Sequence, residues 1–388
     1  MSKKVLIMSA STGGGHNRAA RAIKDELEKK SINRKHIDCE IVDSLKMINN
    51  ATDKIISGAY EKSAKYTPKA WGGMYKISDA NIISKNEFKG NFFNTLMCSK
   101  LKKLLKTSKP DLIIGTHPFP MIALSTLKKK YPYKNNYNNF FVPPLISVLT
   151  DYTAHSTYIQ DEIDYYVAGD EYVREVLISE GIEDKKIKIY GIPVEKSFLE
   201  HREKEIVLEE LGLSPDKFTV LVMGGSFGAG NIKDTLKELL DIDRDFQILV
   251  IAGRNESLKE KLEKSLSKYP VNKNISVLGF TKDMHDILSA VDVIVTKPGG
   301  LTTTECLLKE LPMIVPYYIP GPEEENLDFL SNCGAALRTS KKFTLTVLLK
   351  VLIDNPSRIE LLKNNIKSIK KQNAAEDTAN LVVDILSN

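Results

Sequence analysis

Residues 292–310, DVIVTKPGGLTTTECLLKE, decide how this chain is read. Val293, Ile294 and Val295 form the apolar run that a parallel strand shows when both of its faces are covered. Pro298, Gly299 and Gly300 stop that strand, and the glycines let backbone pass close to a ligand. A helix is expected to open at residues 301–304. Its first N–H groups lack intrahelical partners and carry the positive end of the helix dipole, and Thr302, Thr303 and Thr304 add hydroxyl donors. Such a turn suits an anion, most simply phosphate, although an ordinary well-capped turn would look the same in this stretch alone. Glu305, one turn further in, is placed better for a ribose diol than for a phosphate.

The alternation continues in both directions. In the first half, strands are expected at 4–10, 37–42, 111–117, 145–150, 164–169 and 187–190, with helices at 16–30, 118–130 and 171–180. The glycine turn at 11–15 ends the first strand, where open α/β sheets bind ligands, but it is not the GxGxxG of a dinucleotide site. His16 stands where the next helix begins. It is either a capping or solvent-facing side chain or a base at the edge of a cleft, titrating near neutrality. Asp151 ends another strand, again a ligand position, and His155 follows it in a loop.

A second series starts at 218–223 (FTVLVM) and runs into 224–230 (GGSFGAG). Further strands are expected at 246–252, 275–278, 292–296, 313–315 and 335–338, with helices at 232–240, 257–268, 283–290, 327–332, 343–354 and 356–387. The expected fold class is therefore α/β: two Rossmann-like parallel-sheet domains, 1–196 and 197–388, the second with the C-terminal helices, hinged near 194–199 and facing an interdomain cleft.

Composition agrees with this. At 388 residues, 42% hydrophobic and 27% charged, two soluble domains are the natural expectation. The N-terminus lacks the form of a signal peptide, and no run approaches the roughly 18 apolar residues of a spanning helix. Cys39, Cys98, Cys306 and Cys333 are scattered without metal spacing and read as reduced thiols. The net charge of +5 is mild, but between residues 61 and 109 eleven lysines stand against three acids. Trp71, the only tryptophan, lies in that segment beside Met74 and Tyr75. Aromatic groups amid cations suit an anionic lipid surface, as would a solvated basic face over a buried tryptophan. Charge that is all Lys, without Arg and stacking aromatics, speaks against nucleic acid as a partner.

Eight motifs in order give the chain a family resemblance: residues 11–20 (STGGGHNRAA), 150–155 (TDYTAH), 190–194 (YGIPV), 224–230 (GGSFGAG), 253–255 (GRN), 279–284 (GFTKDM), 297–305 (KPGGLTTTE) and 318–326 (YIPGPEEEN). Together they resemble the monogalactosyldiacylglycerol synthase and processive diacylglycerol glucosyltransferase group of family 28 glycosyltransferases. Those enzymes have the GT-B fold and are inverting and metal-independent. The resemblance implies that Glu305 holds the ribose. Pro298, Gly299, Gly300, Thr302 and Thr303 would surround the diphosphate with Gly225 and Ser226, and Phe280 would lie against the uracil with Arg254 and Asn255 nearby. Glu323 and Asn326 would face the sugar. The family usually has Gln and Lys where this chain has Pro322 and Glu324, which bears on the donor sugar.

On the acceptor side, the resemblance implies Gly14 and Gly15 with either His16 or Asp151 as general base, and His155 close by. Diacylglycerol would be taken at the cytoplasmic face of the cell membrane by a peripheral enzyme, through Trp71 and Lys100, Lys102, Lys103 and Lys106. No cofactor, no metal and no Asp-x-Asp metal pair are expected beyond the UDP-sugar itself. The expected activity is transfer of a hexose, glucose first, to diacylglycerol. Galactose or N-acetylglucosamine, another lipid or a polyprenol, and a nucleotide-sugar-binding protein without turnover are the alternatives.

Overall fold

The computed structural model describes residues 2–11, 14–32, 34–48, 92–131, 140–224, 231–266 and 273–387. They form two compact units: Met1–Glu195 with Pro320–Pro322 and Lys371–Asn388, and Lys196–Ile319 with Glu323–Lys370. Trp71, with its neighbours Met74 and Tyr75, and Gly225 and Ser226 lie outside the described residues.

The first unit runs β1 (Lys4–Ser9), α1 (Gly15–Leu27), a small antiparallel pair β2 (Ser31–Ile32) and β3 (Lys35–His36), β4 (Asp38–Asp43) and α2 (Ser44–Ile48). It continues with α3 (Phe92–Ser108), β5 (Leu112–Gly115), α4 (Pro118–Lys130), β6 (Leu145–Val148), β7 (Tyr165–Ala168), α5 (Glu171–Ser179) and β8 (Ile187–Ile189). Its sheet is parallel throughout, in the order β4-β1-β5-β6-β7-β8. The strands are buried on both faces, which is why LIIG and LISV read as continuous apolar runs rather than alternating ones. Chain order reverses between β1 and β5, so ligand positions gather where these strands end.

The second unit holds α6 (Lys204–Glu210), β9 (Thr219–Met223), α7 (Ile232–Leu240), β10 (Gln247–Ile251), α8 (Glu256–Leu266), β11 (Ile275–Leu278) and α9 (Met284–Ala290). After these come β12 (Val293–Val295), α10 (Gly300–Leu308), β13 (Met313–Val315), α11 (Pro322–Asn332), β14 (Ala336–Arg338), α12 (Leu345–Asp354) and α13 (Pro356–Ile369). Its parallel sheet has the order β11-β10-β9-β12-β13-β14, with the reversal between β9 and β12. The stretch at 292–310 therefore leaves the sheet at its switch point.

Besides the small β2–β3 pair, three elements depart from the sequence reading. Helix α6 carries no strong start signal and was not expected. Helix α11 begins at Pro322, not at 327, because proline suits the first helical position and Glu323, Glu324 and Glu325 favour the positive end of the dipole. The last helix, α14 (Ala374–Ser387), belongs to the first unit and not with the second series. Its Ala379, Val382 and Leu386 join Ile23 and Leu27 of α1 over Val5, Ile7 and Ile114, closing a sheet face that α1 alone leaves partly open. Gly191, at φ 96°, makes room for that return: a Cβ there would lie 2.6 Å from Cβ of Lys371. No described helix is long and apolar enough to cross a membrane.

Candidate active site

In the first unit, the ends of β1, β5 and β6 converge on His16. Gly14 takes the left-handed φ of 79° that turns the chain into α1, and Gly15 is the first helical residue. His16 Nδ1 lies 2.7 Å from the carbonyl of Thr116 and 2.9 Å from Oγ1 of Thr150. Thr116 Oγ1 in turn donates to the His16 carbonyl at 3.0 Å. A carbonyl only accepts, so Nδ1 carries the proton and neutral His16 leaves Nε2 as its basic nitrogen. Burial lowers the His16 pKa below its ordinary value, against the pull of the Asp151 carboxylate and the Thr116 hydrogen bond. Thr150 also contacts the hydroxyl of Tyr158 at 3.3 Å, and Tyr158 is pushed up by burial and then by Asp151.

His117 completes this group, and the sequence reading missed it. Its ring meets that of His16 edge to face, with centroids 4.5 Å apart and planes at 73°. Only 6% of it is exposed, and burial followed by the charge of His16 holds its pKa well below the usual range. The signal was present: His117 follows a parallel strand at its carboxyl end, the same rule that picks out Asp151. His155 has a capping role here. It is buried, accepts from Thr157 N at 3.1 Å and opens the 3-10 turn Ser156–Tyr158.

In the second unit, α10 starts at Gly300 with Gly299 as its N-cap and no side-chain cap. The first N–H groups of the helix thus have no intrahelical acceptor. Thr303 bonds back to Gly299 through its N–H at 2.8 Å, while its buried Oγ1 has no partner among the described residues. Thr304 spends its hydroxyl on the Gly300 carbonyl at 2.8 Å. Thr302 is half-buried, and Glu305 is only 3% exposed. A polarised, partly unsatisfied helix start beside a buried carboxylate can hold a diphosphate and a diol.

Two residues expected to face a sugar brace this turn. Asn326 Nδ2 donates to the Pro298 carbonyl at 3.0 Å. Glu323 is paired with Lys297 and accepts from Ile319 N at 2.8 Å. Further along the sheet edge, the Arg254 guanidinium lies 5.0 Å from the ring centroid of Phe280, which is 52% exposed, so a flat apolar face stands beside a cation. Asn255 caps α8 by accepting from Leu258 N at 3.0 Å.

An Asp-x-Asp does occur, contrary to the sequence reading: Asp241, Ile242 and Asp243, followed by Asp245. It precedes β10, at the opposite end of the sheet from α10, and Asp245 pairs with Lys217 at 2.8 Å. Among the described residues no group of three or more His, Cys, Asp or Glu side chains is arranged to hold a metal ion. On α3, Lys100, Lys103 and Lys106 are exposed, whereas Lys102 folds back to donate to the Tyr131 hydroxyl at 2.6 Å.

Residues 16–194 match the family described as Monogalactosyldiacylglycerol (MGDG) synthase, and residues 219–382 match the Glycosyltransferase family 28 C-terminal domain. A processive diacylglycerol beta-glucosyltransferase of Bacillus licheniformis is 29% identical over 375 residues, covering 96% of this chain and 93% of the relative. The protein of the same description in Bacillus subtilis is 26% identical with the same coverage. Among solved structures, MurG of Acinetobacter baumannii is similar in fold, with a TM-score of 0.62 at 16% identity over 98% of this chain and 99% of that one. The chain, with two Rossmann-like domains of GT-B type, belongs to the monogalactosyldiacylglycerol synthase and processive diacylglycerol glucosyltransferase family of family 28 glycosyltransferases.

Proposed function

We propose that the protein is a UDP-sugar-dependent glycosyltransferase of glycolipid synthesis, moving glucose to diacylglycerol with inversion at the anomeric carbon. The observation that carries this reading is the end-to-end match to diacylglycerol beta-glucosyltransferases. The acceptor hydroxyl oxygen attacks the anomeric carbon from the face opposite the diphosphate. Its proton passes to His16 Nε2, a contribution of about 10²–10⁴ in rate, while the carbon–oxygen bond to UDP breaks. His16 fits the base role better than Asp151 because its Nδ1 is already fixed as a donor and burial favours the neutral ring. Asp151 then steadies the imidazolium that forms. The α10 start meets the negative charge growing on the departing UDP with fixed N–H dipoles. In this reading no metal takes part, and the exposed lysines of α3 hold the protein on the anionic cytoplasmic face of the membrane as a peripheral enzyme.

Another donor sugar, galactose or N-acetylglucosamine, is the second reading, opened by one observation. Pro322 opens α11 where the family pattern has a glutamine, so that position offers a sugar hydroxyl no side-chain amide. The test is glycolipid formation from diacylglycerol in anionic vesicles with UDP-glucose, UDP-galactose or UDP-N-acetylglucosamine, each with and without EDTA. Product from UDP-glucose, unaffected by EDTA, is the expected result. Product from another donor replaces the sugar assignment. UDP binding without product from any donor removes the diacylglycerol assignment.

A further inference from the structure

The two histidines at the switch point of the first sheet are fixed in opposite tautomers by backbone groups. His16 Nδ1 faces the Thr116 carbonyl and must donate. His117 Nδ1 accepts from Phe119 N at 3.2 Å as the N-cap of α4, so it must be bare and the neutral ring carries its proton on Nε2. Protonating His117 at Nδ1 would break that cap, place a cation at the positive end of a helix and set it beside His16. One member of the pair is therefore built to change charge and the other to stay neutral.

Thr116 and His117 are adjacent in sequence, and together they hold His16 from two sides. Thr116 fixes the ring through its carbonyl and the backbone through its hydroxyl. The His117 ring, itself backed by Phe119 with centroids 4.6 Å apart, takes space beside the imidazole that water would otherwise fill. Among the described residues, the other groups facing His16 are the Thr150 hydroxyl, the Tyr158 hydroxyl behind it and the Asp151 carboxylate.

We infer that His117 is a positioning residue for sugar transfer: its tautomer-locked, uncharged ring sets the orientation and the dry setting of His16, so that Nε2 of His16 is the one nitrogen of the pair that takes up a proton. This rests on the reading of His16 as base, but its structural half is testable without turnover.

The experiment is a pH titration of His16 by NMR on the free, full-length protein with ¹⁵N-labelled histidine, in wild type, His117→Asn and His117→Phe. Asparagine keeps a capping oxygen and removes the ring. Phenylalanine keeps a ring and removes the cap. In wild type, His16 is expected to titrate below the ordinary histidine range, with its Nδ1-protonated tautomer visible in the neutral form. His117→Asn is expected to raise that midpoint, because water returns while Asp151 stays, and His117→Phe to leave it near wild type. Under the transferase reading, His117→Asn loses kcat more at pH 6 than at pH 8, with little change in KM for the UDP-sugar. A His16 midpoint unchanged in His117→Asn, or raised equally in both variants, overturns the inference. If His117→Asn does not fold, His117→Phe alone decides, since a raised midpoint there refutes a role for the ring. Failure of the wild-type protein to make glycolipid bears on the proposed reaction and leaves the titration result standing.

Discussion

The side-chain amide of Asn326 donates to the carbonyl of Pro298 at 3.0 Å, tying α11 to the turn that launches α10. Asn326 is fully buried, so Asn326→Ala strands a buried carbonyl. The expected cost is about 1–3 kcal/mol of stability, read by urea denaturation, together with weaker UDP binding by calorimetry. An unchanged unfolding midpoint would show that the turn stands without its brace.

Lys297 and Glu323 form an ion pair whose side chains are mostly withdrawn from solvent. Removing one partner leaves the other charge uncompensated, at a cost of about 3–5 kcal/mol for a well-buried pair. Lys297→Met and Glu323→Gln are each expected to destabilise the second unit, and the double variant less than the sum of the two. Additive losses in a double-mutant cycle would mean that the pair is not coupled.

Gly299 has φ −70°, which any residue can adopt, and a Cβ there would meet Lys297 Nζ at 3.6 Å and Glu323 Oε1 at 3.7 Å, ordinary contacts. The protein alone does not demand glycine. Gly299→Ala should therefore keep its thermal midpoint yet, under the proposed function, bind UDP at least about tenfold more weakly, a loss of about 1.4 kcal/mol, because the new methyl group would stand where the diphosphate is proposed to approach. UDP affinity equal to wild type would place the diphosphate elsewhere.

His16 and His117 both titrate below the ordinary histidine value because burial disfavours their charged forms. On acidification the unfolded chain takes up their protons first. The stability they contribute is therefore fully present above about pH 6.5 and is lost as pH falls below it. Calorimetric melting midpoints at pH 8 and pH 5.5 should differ more in wild type than in His117→Asn. The acid limb of kcat/KM should also lie below pH 6.5 and vanish in His16→Ala. A limb that survives that change transfers the base role to Asp151.

Lys100, Lys103 and Lys106 are exposed along α3, while Lys102 is engaged by Tyr131, its ammonium 4.2 Å from the ring centroid. Replacing the three exposed lysines with glutamine should weaken binding to anionic vesicles by about 1 kcal/mol per charge. Lys102→Gln should do less. Vesicle sedimentation at low and high salt distinguishes the two. Equal losses from each lysine would show that Lys102 leaves Tyr131 at the membrane.

The parallel sheets are legible in the sequence because strands covered on both faces need unbroken apolar runs, such as VIV at β12 and LIIG at β5. The turn that opens α10 is legible because glycine and threonine at a helix start are local signals. What escapes is what depends on partners distant in sequence. His16 lies 100 residues from Thr116 and 134 from Thr150, and no spacing rule joins them. Glu323 and Asn326 are readable as polar residues near a ligand edge, but their engagement with Lys297 and Pro298 is a matter of tertiary contact. Nor does the pattern of α14 say which sheet it will cover; its apolar stripe would suit either.

That last point governs how the chain comes off the ribosome. One wall of the first sheet is supplied by residues 374–387, so the amino-terminal half emerges first but completes last. The second sheet, with helices drawn from its own stretch of chain, can form while the first still waits with Val5, Ile7 and Ile114 partly uncovered. The first sheet thus waits on residues that follow the whole of the second, and a chain cut before residue 374 would carry a finished second domain joined to an open, adhesive first one.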